Sequence, residues 1–407
     1  MLDLIIIVGC SLLVVYAYVL YPFLMRFWST GHGSPWQQNA LMRPSISVIL
    51  AVYNEEDVIA QCLDALLQLD YSGTYEILVG SDGSSDGTGK LLRSYSSLHP
   101  HIKLFEFQTR RGKIPVVNDL VARAQSDLLF FTDADVTLDP HCLERHATHY
   151  ADSSVGGVAG NLLLSGEEGI RAEPLGSEQY YMSVENRLRM DEAMLHSTVG
   201  IFGGHYSIRR TLWKQLPNKP ICDELYIALN IIQSGNRMVF EHRAVAREYF
   251  GRTMVEEFQR KARFAARGLA TLALFPSLLS PRSGWASIML WSHKLFRWFA
   301  PFAIAVLLGT TVFALWHHTR QAWVIPLASL EALGLMVLAA GSLFSISKRP
   351  IPLLSHINWF AIMNVAFGIG VLRFFLRRER FFWTQTTRLS VTSPMKEAVI
   401  SEEAIHS

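Results

Sequence analysis

Cysteine is scarce in this chain of 407 residues: there are four, Cys10, Cys62, Cys142 and Cys222, and no two form a CxxC pair. This excludes a dense disulfide framework of the secreted kind and the paired-cysteine zinc modules, and it fits a reducing compartment for any soluble part. Excess charge of either sign is also missing. With 37 Lys and Arg against 35 Asp and Glu, the formal net charge is +2. A nucleic-acid binder would show a basic face or stripe, so nucleic acid is not an expected partner. Internal repeats and low-complexity tracts are absent as well. What the chain has in abundance is apolar surface. Half of its residues are hydrophobic and 18% are charged, too apolar for an ordinary soluble enzyme and too long for one small domain.

The apolar residues are concentrated in long runs. Leu4 to Met25 carries no charge, and about 20 apolar residues cross a bilayer as a helix. Asp3 before it and Pro22 and Arg26 near its end do not resemble the basic start and small-residue cleavage site of a signal peptide, so an uncleaved anchor is expected. Arg26 and Arg43 follow the run, which places the next segment in the cytoplasm. Three more spans are expected at about Trp298 to Trp316, Trp323 to Ile346 and Asn358 to Leu376. Four spans return the tail to the outer side, whereas Arg373, Arg377, Arg378, Arg380 and Arg388 call for an inner one. Either one stretch is re-entrant or interfacial, or the basic tail lies outside against headgroups. Glu331, inside the second of these spans, is costly in lipid and should face other helices or a polar cavity. Ahead of them, Glu256 to Phe275 is basic toward one end and apolar toward the other, as in a helix lying in the membrane interface. The expected division is 1–27 for the anchor, 44–252 for a cytoplasmic domain, 253–292 for interface helices, 293–378 for further spans and 379–407 for a polar tail.

Between the membrane parts, the pattern alternates strands and helices, as in an α/β domain with a mixed, mainly parallel sheet. Ile46–Val52 (ISVILAV), Glu76–Gly80, Lys103–Phe107 and Leu128–Thr132 (LLFFT) read as strands, with helices over about Glu56–Leu69 and Thr88–Leu98. Open α/β sheets bind ligands outside the carboxyl ends of their strands, and polar clusters follow these strands. Asp133 and Asp135 stand one residue apart where LLFFT stops. Buried carboxylates of this kind need a cation, and Mg2+ or Mn2+ suits hard oxygen ligands shared with phosphates. A turn in which Asp caps the next helix is the alternative. Ser81 to Thr88 (SDGSSDGT) closes the second strand with tight-turn glycines. Gly89-Lys90 is not a phosphate loop, because Ser84 and Leu91 stand where that motif requires Gly and Ser or Thr. Tyr53-Asn54-Glu55-Glu56 ends the first strand and also reads as an ordinary acidic helix start. His141, His146 and His149 imitate a metal site, but the segment reads as an exposed helix and is discounted as one.

Taken in order, PSISVILAVYNEED, ILVGSDGSSDGT, RRGKIPVVNDL and LLFFTDAD resemble the nucleotide-binding half of family 2 glycosyltransferases. The resemblance continues through GGVAGN, GIFGGHYSIRR, CDELYIALNIIQSGNRMVFE and EEFQRKARFAARGL, about Ser45 to Leu269. It implies a GT-A (Rossmann-like) fold, a nucleotide-sugar donor, UDP-linked as first expectation, and a divalent metal held by Asp135 and Asp133. It further implies donor contacts from Val52, Tyr53, Glu55, Asp82 and Lys113, with Arg111, Gly112 and Asn118 nearby. Arg260 and Arg263 are implied partners of the diphosphate. Acceptor or donor-sugar contact falls to Gly203, Gly204 and His205. The general base is implied at Asp223-Glu224, and both remain open, because relatives carry Asp where Glu224 stands. Where chain-extending relatives have Gln, two residues and Arg-Trp, this chain has Arg260, Arg263 and Phe264. The resemblance thus implies an inverting transfer to a lipid-linked or membrane-proximal glycan acceptor at the bilayer of the cell membrane. A processive polysaccharide synthase is the alternative, and a non-catalytic binding or transport protein the reading from a different class.

Overall fold

The structure is a computed structural model and describes residues 2–31, 35–165, 173–249, 253–317, 322–346 and 351–378. Residues 250–252, at the expected end of the soluble domain, and 379–407, which include Arg380 and Arg388, lie outside the described residues.

The chain opens with α1 (Leu2–Val15), a π-helical turn (Tyr16–Leu20) and α2 (Tyr21–Ser29). The first half of the α/β part runs β1 (Ile46–Val52), α3 (Ile59–Leu67), β2 (Tyr75–Asp82), α4 (Thr88–Leu98), β3 (Ile102–Phe107), α5 (Lys113–Arg123) and β4 (Leu128–Thr132). The second half is β5 (Val136–Leu138), α6 (Cys142–Ala147), β6 (Val155–Ser165), α7 (Glu173–Leu195), β7 (His205–Arg209), α8 (Asp223–Gln233) and β8 (Arg237–Tyr249). Helices α9 (Met254–Leu272), α10 (Trp285–Met289), α11 (Phe296–His317), α12 (Val324–Ile346) and α13 (Pro352–Phe375) complete it. The four expected strands are present, with β2 two residues longer at its carboxyl end than the pattern implied.

One eight-stranded sheet has the order β3-β2-β1-β4-β7-β6-β8-β5. Strands β1 to β4 pair in parallel. Strand β7 then runs antiparallel to β4, and β6 antiparallel to β7. Strand β1 is central and covered on both faces, so it reads as an unbroken apolar run rather than an alternating one. Its register aligns Val52 with Ser81 of β2 and Leu50 with Thr132 of β4. Those pairings bring the polar turns after β1, β2 and β4 to one edge. On one face, α5 approaches closely enough that a Cβ at Gly80 would lie 2.5 Å from Val116.

Among the described residues, four helices are long and apolar enough to cross a membrane: Leu2–Ser29, Trp285–His317, Val324–Gly341 and Leu353–Phe375. Leu12, Phe23 and Phe27 on the first are exposed, as lipid-facing side chains are. Glu331 accepts a hydrogen bond from Thr311 at 2.9 Å, so a neighbouring helix satisfies it. Helix α9 begins with a capping box in which Thr253 and Glu256 exchange hydrogen bonds. It is more enclosed than an interface helix resting on headgroups. Its small residues Ala262, Ala265 and Ala266 are buried, and Gly370 of α13 meets the Ala262 carbonyl so closely that a Cβ would collide. A second apolar core, including Tyr21, Met25, Leu229, Leu269, Trp298 and Phe367, joins α2, α8, α9, α11 and α13. The α/β part and the apolar helices therefore share buried surface.

Candidate active site

The turns after β1 and β2 are stitched to each other. Asn54 adopts a positive φ of 52°, which Asn tolerates better than most residues. Its side-chain oxygen accepts the Ser85 N–H at 2.8 Å, while its own N–H donates to Ser84. The Glu55 N–H donates to Thr88, and Glu56 accepts the Gly87 N–H. Tyr53 is half-buried under the Arg110 guanidinium, 3.9 Å from its ring centre. Glu55 and Val52 are buried, so any part they take in donor binding is through the backbone or the shape of the turn. Asp82, also buried, accepts the backbone N–H groups of Arg111 and Gly112 at 2.7 Å each. One expected donor carboxylate thus fixes the loop carrying the basic residues. Arg110 was not among the expected residues, because its stacking on Tyr53 depends on this tertiary crossing. Asn118 exchanges hydrogen bonds with the Leu216 backbone and is structural.

The acids converge at the end of β4. Lys113, the first residue of α5, donates to Asp133 at 2.7 Å and lies 3.7 Å from Asp223. Burial opposes its positive charge, but Asp133 and Asp223 outweigh that and hold its pKa well above the ordinary value. The Lys113 ammonium is thus the cation paired with Asp133, and the carboxylates of Asp133 and Asp135 are hard oxygen donors of the kind a divalent ion takes. Asp135 lies in a cavity lined by Val58, Gln61, Cys62, Ala134, Thr137 and Arg247. Burial, with the charges of Asp135 and Asp133 adding to it, drives the Cys62 thiol far up and keeps it protonated.

Asp223 and Glu224 occupy the first turn of α8. A Cβ at Gly203 would lie 3.6 Å from Asp133 and 3.7 Å from the Glu224 carboxyl group, so that glycine leaves open the space between the metal-type acid and the candidate base. Burial and the adjacent Asp223 charge raise the Glu224 pKa well above the carboxylate range. Burial also opposes Asp223 ionisation, but Lys113 and the hydrogen bond with Glu224 prevail and lower its pKa. The two carboxyl groups of one helical turn are thus driven in opposite directions.

His205 is a correction. It stands beside Gly203 and Gly204 in sequence but is fully buried, with its ring stacked against the backbone at Gly160 and its Nε2 2.9 Å from Cys142 and 3.3 Å from His146. Strand alternation at the first residue of β7 turns it away from any acceptor. Burial lowers its pKa to about 3 and that of His146 well below the usual value. Helix α6 is likewise not exposed. His146 and His149 are buried, the latter between Trp36 and Glu241, and the residue that the fold adds to Cys142 and His146 of α6 is His205 of β7. Cys142, His146 and His205 place one candidate metal-ligand atom each within 4.8 Å of one another. Arg260 donates to Glu257 and Glu178, so in this state it is engaged with acids rather than with a phosphate site. Arg263 is half-buried on the same helix.

Residues 47–215 match the family model described as Glycosyl transferase family 2. The matched segment runs from β1 past β7 and takes in Asp82, Lys113, Asp133 and Gly203. Among curated relatives, Glycosyltransferase AglE of Haloferax volcanii is 27% identical over 162 residues, covering 39% of this chain and 52% of the relative. Probable glycosyltransferase YdaM of Bacillus subtilis is 24% identical over 247 residues, covering 56% of each. Poly-beta-1,6-N-acetyl-D-glucosamine synthase of Staphylococcus epidermidis is 28% identical over 133 residues, covering 29% of this chain and 32% of the relative. The chain thus spans about half the length of the first two and about a third of the third. A solved mannosyltransferase of Pyrobaculum calidifontis, PcManGT, in complex with GDP-Man and Mn2+, superposes with a TM-score of 0.73 at 21% identity, covering 93% of this chain and all of that one. At that identity the likeness establishes the GT-A fold.

Proposed function

We propose that the protein is a metal-dependent glycosyltransferase that moves a sugar, with inversion, from a nucleoside-diphosphate sugar to a lipid-linked or membrane-proximal acceptor. The carrying observation is the convergence of Asp133, Lys113, Asp223 and Glu224 around the open face of Gly203. Tyr53 and Asp82 line the nucleoside side of this edge, and Lys113 faces the diphosphate. Asp133 and Asp135 would hold a divalent ion, which would supply positive charge to the departing diphosphate. Glu224 takes the proton of the acceptor hydroxyl as its oxygen bonds to the anomeric carbon, and the bond to the diphosphate oxygen breaks with its electron pair on the nucleotide. UDP is the first nucleotide to test. GDP is the second, since the solved mannosyltransferase holds GDP-Man and Mn2+.

The apolar helices fastened to the α/β part support catalysis at a membrane, and the basic residues after the first span support its cytoplasmic face. The detergent-purified protein should turn over one nucleotide sugar with Mn2+ or Mg2+, lose that activity to chelator, and lose it in Asp135→Ala. Metal-independent turnover, or unchanged activity in Asp135→Ala, overturns the reading. The similarity to a poly-N-acetylglucosamine synthase favours a second reading, processive synthesis. Product length decides it: a single added sugar supports the first reading and a polymer the second.

A further inference from the structure

The buried face between α6 and β7 holds a group of metal-type donors separate from the acids at the end of β4. Cys142 and His146 stand four residues apart on α6, so one face of the helix carries both. His205 and Ser207 stand two apart on β7 and share the face that packs on that helix. Cys142, His146 and His205 are all fully enclosed. Strand β6 makes room for the second imidazole with a glycine, since a Cβ at Gly160 would lie 2.1 Å from the His205 ring.

Hydrogen bonds do not account for the way these three side chains face one another. His146 Nδ1 lies 2.8 Å from the Ser207 hydroxyl, which Tyr150 also approaches at 2.8 Å. When that nitrogen donates to Ser207, His146 Nε2 keeps a lone pair, and it faces His205 Nε2 at 3.3 Å. The Cys142 sulfur meets the same His205 nitrogen at 2.9 Å. His205 Nε2 cannot donate to His146 and accept the thiol proton at once. Among the described residues its Nδ1 has no partner to fix the tautomer. One cation would take a lone pair from all three.

The spacing is that of ligands on one ion. Two imidazoles on a tetrahedral zinc, each bound at about 2.0–2.1 Å, have facing nitrogens about 3.3 Å apart and ring centres about 5 Å apart. His146 and His205 show 3.3 Å and 5.1 Å. A thiolate bound at about 2.3 Å sits about 3.6 Å from each nitrogen, so Cys142 needs to withdraw by less than about 1 Å. The Ser207 contact holds the other ring nitrogen of His146, as an oxygen acceptor commonly does for a metal-ligating histidine. One thiolate leaves a divalent ion with a surplus positive charge, and Glu241, bonded to His149 at 2.8 Å, supplies a negative charge that acts on His146. A thiolate with two imidazoles suits zinc rather than the hard-oxygen ions expected at Asp133 and Asp135.

We propose that Cys142, His146 and His205 bind a zinc ion through Sγ and the two Nε2 atoms. The thiol proton leaves to solvent as the zinc–sulfur bond forms. The ion ties α6 to the start of β7. His205 pairs with Thr132 and follows Gly203 and Gly204, which lie against Asp133, so the tie fixes the segment beside the reaction centre.

The test uses the full chain in detergent, dialysed against a weak chelator to clear exposed carboxylates and then analysed for metal by mass spectrometry. About one zinc per chain is expected. Removing it with phenanthroline should lower the thermal midpoint, and zinc but not Mn2+ should restore it. Cobalt in its place should give a thiolate-to-metal absorption band, kept in Cys10→Ser and lost in Cys142→Ser. Ser207→Ala keeps all three ligands and should weaken zinc about 10- to 100-fold. Parent protein that takes up neither zinc nor cobalt overturns the site, whether or not the variants fold. A cobalt band that survives in Cys142→Ser, or a zinc affinity unchanged in both Ser207→Ala and His205→Gln, overturns these ligands. Copper found in place of zinc overturns the choice of ion.

Discussion

Glu224 and Asp223 are neighbours in one turn of helix, yet their surroundings drive their acidities in opposite directions. The consequence is a signed pH dependence. With Glu224 as base, activity requires its ionised form, and its pKa is raised above the ordinary value of about 4.3. The metal-saturated rate should therefore be low in mild acid and climb as pH rises through the neutral range. With Asp223 as base, its lowered pKa keeps it ionised, and the rate should be flat above about pH 5. Glu224→Gln should lower kcat by about 10²- to 10⁴-fold and abolish the climb, and a pH–rate profile of parent and variant checks both points. Asp82 makes a different kind of contribution. Because its two oxygens hold the Arg111 and Gly112 amides, Asp82→Asn turns an amide N–H toward one of them. Hydrogen bonds to a charged group contribute about 1.5–3 kcal/mol. Donor KM should rise by about tenfold or more with little change in kcat, as steady-state kinetics would show.

Helix α9 tests the argument at the level of an element. Its charged residues pair with α7 through Glu178, Glu257, Arg260 and Lys261, while its small residues lie against α13. Gly370→Ala places a methyl against the Ala262 carbonyl and the Ala265 side chain, and overpacking of this kind costs about 1–3 kcal/mol. Gly309→Ala, on α11 where nothing lies within 4 Å of the added carbon, should be neutral or stabilising, since Ala favours a helix by up to about 1 kcal/mol over Gly. Thermal unfolding of the two variants in detergent should separate them. If α9 merely rested on headgroups, the two would behave alike.

For the whole molecule, the question is whether the α/β part stands alone. Glu185 and Glu192 take their partners from Tyr21, His293 and Arg297 in the apolar helices. Cutting those helices away leaves carboxylates without their cations, a loss of about 3–5 kcal/mol where one partner of a buried pair is removed. It also uncovers the second apolar core. Residues 35–249 expressed alone should therefore aggregate or unfold well below the melting point of the full chain. A well-dispersed fragment of equal thermal stability would show that the two parts are independent.

The sequence by itself determined those features whose physics is local. Apolar runs show as spans because length and lack of charge suffice, and β1 and β4 show because a strand covered on both faces is a continuous apolar run. Asp133 and Asp135 were legible for the same reason, since they mark where such a strand ends. Tertiary structure decided the features that depend on which side chains cross. It turned His205 inward to Cys142 and His146, although its place after Gly204 suggested an acceptor contact, because the register of β7 against β4 sets the facing of each residue. It seated Lys113 between Asp133 and Asp223, which are 90 residues apart in the chain. It brought Glu185 and Glu192 to His293, a meeting that no spacing encodes, because the helices carrying them are placed by burial of apolar faces rather than by the charges themselves.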